Sequence, residues 1–187
     1  GNVSVTIGLW AAAGALVGSA VGAKLALLVP AATINTVMLV LVPAVLVFLL
    51  LKDRILPRAP DGDTPVTGAA WKSLAIGAAI GTYDGFFGPG TGTFLTIAFA
   101  TFLGLNLLTA SGNARLANLA SNAGSVAVFL WNGQVLFPLA LYAAAAGIAG
   151  NVLGSRLAVQ KGARVIKPLM VVGLILLMAE VVRRRYL

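Results

Sequence analysis

Six long apolar segments fill most of this sequence and restrict the fold that it can adopt. They run from about 5 to 28, 32 to 51, 71 to 105, 114 to 131, 135 to 159 and 165 to 182. A helix needs about 20 predominantly apolar residues to cross a bilayer, and each segment approaches or exceeds that length. Only 10% of the residues are charged, whereas a soluble domain usually carries about 25%. The sequence therefore predicts an all-α polytopic membrane protein.

The charged and reactive residues exclude several classes of function. The net charge is +8, and the basic residues lie mostly at the ends of apolar segments, where they favour anionic lipid headgroups over nucleic acid. Cysteine and histidine are absent, and only five residues are acidic. This composition removes disulfides, thiolate chemistry and histidine-ligated metals. We therefore expect no enzyme, no cofactor, no metal site and no nucleic-acid partner.

A glycine- and proline-rich interruption divides the third segment. Residues 81–94 read GTYDGFFGPGTGTF. Pro89 has no amide hydrogen and its ring clashes with the preceding turn, so a continuous helix is excluded here. A new helix then begins near Thr91 and Thr93, with a threonine as a suitable N-cap. Its free amide groups and positive dipole end favour an anion, and broken helices of this kind hold substrates in many secondary transporters.

Asp84 is the one acidic residue in this interrupted segment. An ionised carboxylate is costly in lipid, so we expect its side chain to face the protein interior or water. A carboxyl group in such surroundings suits the uptake and release of a proton. The alternative is a structural role, in which Asp84 caps or braces the broken backbone.

A polar stripe marks the fourth segment. Arg115, Asn118 and Asn122 are spaced i, i+3 and i+7, so they share one face of a helix. The guanidinium of Arg115 offers a fork of donors for an oxyanion, and we favour an interior site for it. Two alternatives stay open: an ion pair with Asp84, or a position at the membrane flank. Further polar residues of this region are Ser111, Asn113 and Ser121.

The two ends of the chain match each other in sequence. With a shift of 132 residues, LWAAA at 9–13 falls on LYAAA at 141–145, and Lys24 falls on Arg156. A high content of alanine and glycine does not easily explain the match of two basic residues. We therefore predict two related repeats: an incomplete first repeat at 1–52, a polar linker at 53–70 and a second repeat at 71–187.

The first repeat lacks a counterpart of the broken helix and its partner at 71–132. We expect such a counterpart, of roughly 60 residues, ahead of Gly1. Within the first repeat, Gly14, Gly18 and Gly22 are spaced by four. Small residues at this spacing let a second helix approach closely, so we expect them to serve helix packing.

These residues resemble the TauE/SafE family of sulfite and organosulfonate exporters, in particular its YfcA-type branch. The resemblance depends on YDGFFGP at 83–89, on the polar stripe at 113–122 and on the tail at 154–168. It implies two related halves with eight membrane segments, of which this chain would hold the last six. It also implies a multi-pass protein of the bacterial inner membrane that moves small sulfur-containing anions or carboxylates, coupled to protons.

From this resemblance and the residues above we expect a secondary transporter of sulfite- or sulfonate-type anions, with Asp84 carrying the coupled proton. The alternative is a membrane subunit that does not transport and serves as a scaffold in a larger complex. Expected partners are a small anion, the lipid bilayer, and either a homo-oligomer or a larger membrane complex. The residues expected to bind the anion are Tyr83, Asp84, Gly88, Gly90, Thr91, Thr93, Asn113, Arg115, Asn118 and Asn122.

Two paths are open for the broken segment. If it crosses the membrane, the repeats are parallel and the basic residues divide between the two sides. If it enters and returns, the repeats are inverted and most basic residues share one side, which the positive-inside rule assigns to the cytoplasm. We favour the returning form, because it also builds a site near the middle of the membrane.

Overall fold

A computed structural model describes residues 4–55, 61–64, 66–161, 168, 171–173, 175–176, 179–180 and 182–183. Its helices are α1 (Val5–Leu28), α2 (Ala31–Ile55), α3 (Ala69–Phe86), α4 (Thr91–Leu103), α5 (Leu107–Trp131) and α6 (Phe137–Lys161). No β-strand occurs in the described part of the chain, which confirms the all-α prediction. Half of the predicted sixth segment, 165–182, lies outside the described residues, and its described residues are helical.

Among the described residues, three helices are long and apolar enough to cross a membrane: Val5–Leu28, Ala31–Leu51 within α2, and Phe137–Gly154 within α6. α4 is a shorter apolar helix. The predicted count of six membrane segments stays a prediction, because α3 and α5 carry polar residues along their length.

The start of α5 corrects the sequence analysis. The helix begins at Leu107, whereas the hydropathy pattern placed its start near Ala114. Asn106 is the N-cap, and its side-chain oxygen accepts hydrogen bonds from the amides of Leu108 and Thr109, each at 3.0 Å. A cap of this kind stabilises a helix start ahead of the apolar segment, and residues 111–113 are helical.

The chain divides into two compact units, Gly1–Ile34 with Arg54–Asn132, and Asn35–Asp53 with Gly133–Leu187. The first unit contains α1, α3, α4 and α5. Within it, α1 packs against α3 and α5, and α4 packs against the same two helices. Its apolar core includes Leu95, Phe99 and Leu103 of α4. The predicted repeats at 1–52 and 71–187 stay a prediction.

α1 and α3 lie in backbone contact because glycines of both helices face each other. A Cβ atom at Gly81 would lie 2.6 Å from the carbonyl oxygen of Ala15, and one at Gly18 would overlap the carbonyl of Ala78. Gly14 and Gly22 meet α3 in the same way. The contacts confirm the predicted packing role of these glycines. Residue numbers rise together along both helices, so α1 and α3 are parallel.

α3 and α4 form a hairpin whose two ends meet. The amide of Thr64, just before α3, donates to the carbonyl of Gly104, just after α4, at 2.9 Å. The adjacent Asp63 accepts hydrogen bonds from the amide and the side-chain nitrogen of Asn106, at 2.9 and 2.7 Å. α4 therefore runs back beside α3. This geometry agrees with the returning form of the broken segment, while the orientation of the repeats in a membrane stays a prediction.

Candidate functional site

The reversal between α3 and α4 is a turn made by glycines. Gly88 and Gly90 have φ values of 90° and 87°, a region that residues with a Cβ atom rarely adopt. Pro89 lies between them and prevents helix continuation. Gly90 is the N-cap of α4 and Thr91 its first residue. The break is therefore where the sequence predicts it, but the expected threonine N-cap is wrong.

Asp84, in the last turn of α3, binds hydroxyl groups from two other helices. Thr91 Oγ1 of α4 lies 2.6 Å from Asp84 Oδ1, and Ser121 Oγ of α5 lies 2.5 Å from Asp84 Oδ2. Both hydroxyl residues are buried. One carboxyl group thus joins three helices beside the turn, in the bracing role that the sequence left open for Asp84.

The Thr91 hydroxyl lies between two acceptors. Its oxygen is 2.6 Å from Asp84 Oδ1 and 2.7 Å from the carbonyl oxygen of Gly88. A hydroxyl group has one hydrogen to donate and two lone pairs that accept. It therefore satisfies only one of these acceptors fully at a time.

Tyr83 closes the turn from the side. Its hydroxyl donates to the carbonyl oxygen of Pro89 at 2.6 Å. Its ring packs edge-to-face against Phe94, with centroids 5.4 Å apart, and is tilted against Phe87 at 5.9 Å. The hydroxyl hydrogen of Tyr83 therefore holds the turn and is not offered to a ligand.

The carboxyl of Asp84 lies near the middle of α5. Ser121 follows the first residue of α5 by 14 positions (121 − 107) and precedes the last by 10 (131 − 121). At 1.5 Å per residue these are roughly 21 and 15 Å. Since the hydrocarbon core of a bilayer is about 30 Å thick, an α5 that spans it would hold Asp84 near the midplane.

The polar stripe of α5 lies to one side of Asp84. Arg115 and Asn122 are exposed and Asn118 is half-buried. At 3.6 residues per turn, the three side chains leave the helix roughly 60 to 120° from the direction of Ser121. No ion pair joins Arg115 to Asp84 within the described residues. The structure thus groups Asp84 with Thr91 and Ser121, and separates this group from the stripe.

The remaining predicted ligands already have local partners. Asn113 is fully buried, and its Nδ2 donates to the Thr109 carbonyl at 2.9 Å, whereas its Oδ1 has no partner in the described part. A free acceptor does not suit an anion. The amide of Thr93 donates to the carbonyl of Gly90 at 2.9 Å, and that of Thr91 lies 3.4 Å from the carbonyl of Gly88. The first turn of α4 therefore uses part of its amide donors itself.

Sequence reasoning missed the clamp at the base of the hairpin. Besides its two bonds to Asn106, Asp63 accepts from Thr109 Oγ1 at 3.1 Å. Residues 53–70 were predicted as a linker only. A run of Asp, Gly, Pro and Thr predicts a loop, but it carries no signal for a partner more than 40 residues away.

Comparison with known proteins finds a matching family and several similar sequences. A family model described as "Sulfite exporter TauE/SafE" matches residues 1–181. A "Probable membrane transporter protein ORF9" from a Sinorhizobium species is 36% identical over 83% of this chain and 58% of its own length. The Escherichia coli K12 "Probable membrane transporter protein YfcA" is 33% identical over 83% of this chain and 57% of its own. A "Probable membrane transporter protein" of Haemophilus influenzae is 38% identical over 58% of this chain and 43% of its own.

These matches cover about half the length of the relatives. No solved structure matches the chain. The family and the apolar helices together identify a multi-pass membrane protein. They also confirm the interpretation that the chain is not an enzyme, since the relatives are named as transporters.

Proposed function

Because the chain belongs to the sulfite exporter TauE/SafE family, we propose that it is part of a secondary transporter of small sulfur-containing or carboxylate anions, driven by protons. The observation that carries this proposal is the position of Asp84. Its carboxyl group lies at the turn of a broken helical hairpin and is bound by hydroxyl groups of two other helices. Broken helices at the membrane midplane are where secondary transporters hold substrates and coupling ions.

Asp84 is the proton carrier in this proposal. Its two partners are hydroxyl groups, which donate to an ionised carboxylate and also accept from a neutral carboxylic acid. Both protonation states of Asp84 therefore find hydrogen bonds in the same place. A lysine or arginine partner would instead favour the ionised state alone.

The polar stripe of α5 supplies the anion site. The guanidinium of Arg115 and the amides of Asn118 and Asn122 offer donors for an oxyanion. In a membrane, a charged side chain that projects outward from the helices around it must contact water, another protein surface or a ligand. Ser121 directly precedes Asn122, so the anion and proton sites share one helix. Of the other predicted ligands, Tyr83, Gly88, Gly90, Thr91 and Thr93 belong to the turn beside Asp84 and so to the proton site, whereas Asn113 is buried within α5.

Flux measurements in proteoliposomes test this function. The purified protein is reconstituted, a pH gradient is imposed, and movement of sulfite and of a short sulfonate is followed. We expect Asp84→Asn to abolish the effect of the gradient, and Asp61→Asn, a change at an exposed acid in the linker, to leave it intact. If Asp84→Asn and Arg115→Ala both transport like the unmodified protein, the proposed roles are wrong. Absence of flux together with a stoichiometric partner on native gels would favour the scaffold function.

A further inference from the structure

We propose that Thr91 is a hydroxyl switch that links the protonation state of Asp84 to the turn between α3 and α4. The proposal rests on the proposed role of Asp84 as proton carrier. It assigns to Thr91 a positioning role, since Thr91 acts through Asp84 and through the backbone of the turn. The observation behind it is the single Thr91 hydrogen placed between the carboxyl group and the Gly88 carbonyl.

In the ionised state Asp84 needs both hydroxyl hydrogens. Thr91 donates to Oδ1 and Ser121 donates to Oδ2, because a carboxylate only accepts. The Gly88 carbonyl then keeps only the amide of Thr91, at 3.4 Å. This distance exceeds the usual 2.7–3.2 Å of an N–H···O hydrogen bond. The turn is held less firmly in this state.

In the neutral state the same atoms form a complete chain of hydrogen bonds. A proton taken up from water resides on Asp84 Oδ1, which then donates to Thr91 Oγ1. The Thr91 hydrogen is released toward the Gly88 carbonyl, at an oxygen–oxygen distance of 2.7 Å. Ser121 continues to donate to Oδ2. Uptake of one proton therefore adds one hydrogen bond to the turn, and its loss removes that bond.

Few other charges face this group from the helices packed around it. α4 contains no titratable residue. On α1 the only titratable residue is Lys24, which is exposed, and on α5 it is Arg115, which is exposed away from Ser121. On α3, Lys72 lies at the opposite end, and Tyr83 donates to Pro89. Asp84 is thus the one carboxyl group in α1, α3, α4 and α5. A pH dependence of the turn is therefore assigned to the protonation of Asp84.

Single-cysteine labelling tests the switch in a chain that has no native cysteine. Gly92 is exposed in the first turn of α4, and a Cβ atom there meets nothing within 4 Å. Gly92→Cys therefore reports on the turn without filling it. The rate of modification by a maleimide is measured from acidic to mildly alkaline pH in the absence of an anion. It is divided by the rate at Gly62→Cys, an exposed position in the polar loop before α3 where a Cβ atom also meets nothing within 4 Å, to remove the pH dependence of the thiol itself.

The two key variants move the reporter in opposite directions. With Thr91 and Asp84 intact, we expect the corrected rate to rise with pH on the order of fivefold, as one hydrogen bond of the turn is lost. Thr91→Val removes the hydroxyl and should give the fast rate at every pH. Asp84→Asn keeps an N–H donor toward Thr91, imitates the neutral acid and should give the slow rate at every pH.

Two further variants distinguish loss of the switch from a general loss of folding. Thr91→Ser restores the hydroxyl and should restore the pH dependence. Ser121→Ala removes the other partner of Asp84 without touching the turn, and should change the pH of the transition but not abolish it. A pH dependence that survives in Thr91→Val overturns the switch, as does a flat profile in the protein with both residues intact. If protons drive flux but the labelling rate does not depend on pH, the switch is wrong and the transport function stands. If the labelling rate depends on pH but no flux is found, the transport function is wrong and the switch stands.

Discussion

Gly18 of α1 lies directly against the backbone carbonyl of Ala78 in α3, with no room for a side chain between the two helices. Because the obstructing atoms are backbone and not the end of a flexible side chain, the contact cannot be relieved by a rotamer change. The close packing of α1 against α3 therefore requires glycine at position 18, since any larger residue would place a side chain in this contact.

The first prediction concerns this contact. Gly18→Ala should destabilise the protein by about 1 to 3 kcal/mol, because the helices must separate to admit one methyl group. Unfolding in mixed micelles with increasing SDS measures the change. Gly147→Ala is the matched control, since its Cβ meets open space and its effect should stay within about 1 kcal/mol. Equal stability of the two variants would contradict the packing described above.

The second prediction concerns the clamp at the base of the hairpin. Asn106→Ala removes the N-cap of α5 and both side-chain links to Asp63 and Thr109. We expect a loss of about 1 kcal/mol from the cap alone. Amide hydrogen exchange should become faster in the first turn of α5 and at Thr64, while the second half of α5 stays protected. Uniform acceleration along α5 would show that the clamp does not act locally.

The third prediction concerns the hydroxyl of Ser121. Ser121→Ala leaves Asp84 Oδ2 without its donor and should cost about 1 to 3 kcal/mol, as expected for a buried group that loses its partner. Ser125→Ala, one turn later, is the control. Among the described residues, the Ser125 hydroxyl bonds only to the carbonyl of Ser121 in its own helix, a contact of little value to stability. Thermal unfolding in detergent compares them, and a larger loss for Ser125→Ala would refute the assignment.

The fourth prediction concerns Arg115 and the anion. Arg115→Ala should raise the KM for the transported anion on the order of tenfold or more, because a charge-assisted hydrogen bond is lost. Arg115→Lys should fall in between, since lysine keeps the charge but lacks the planar fork. Arg156→Ala, at an exposed position of α6, serves as the control for a general effect of charge. An unchanged KM in both Arg115 variants would exclude Arg115 from the site.

Local chemistry made much of the fold predictable. Apolar length predicted the helices, Gly88, Pro89 and Gly90 predicted the reversal, and glycines spaced by four predicted the close helix pair. Each of these features is decided by a few neighbouring residues. The start of α5 did not follow from hydropathy, because a single capping residue, Asn106, sets it.

Pairs of residues far apart in sequence were not predictable in the same way. Asp63 with Asn106, and Asp84 with Ser121, are separated by 43 and 37 positions. Each is a polar residue that suits many partners, so only the packing of the helices selects one. The interior position of Arg115 stays a prediction, because the stripe faces outward from the unit that the structure describes.

The glycine contacts along α1 also decide which arm of the hairpin is free to move. α3 is held by its neighbour's backbone at Gly77, Gly81 and Gly85, whereas α4 meets its neighbours through the side chains of Leu95, Phe99 and Leu103. Side-chain contacts can slide and repack, but a backbone contact without side chains has no such freedom. In a transport cycle we therefore expect Asp84 to stay fixed with α3, and Thr91 to move with α4.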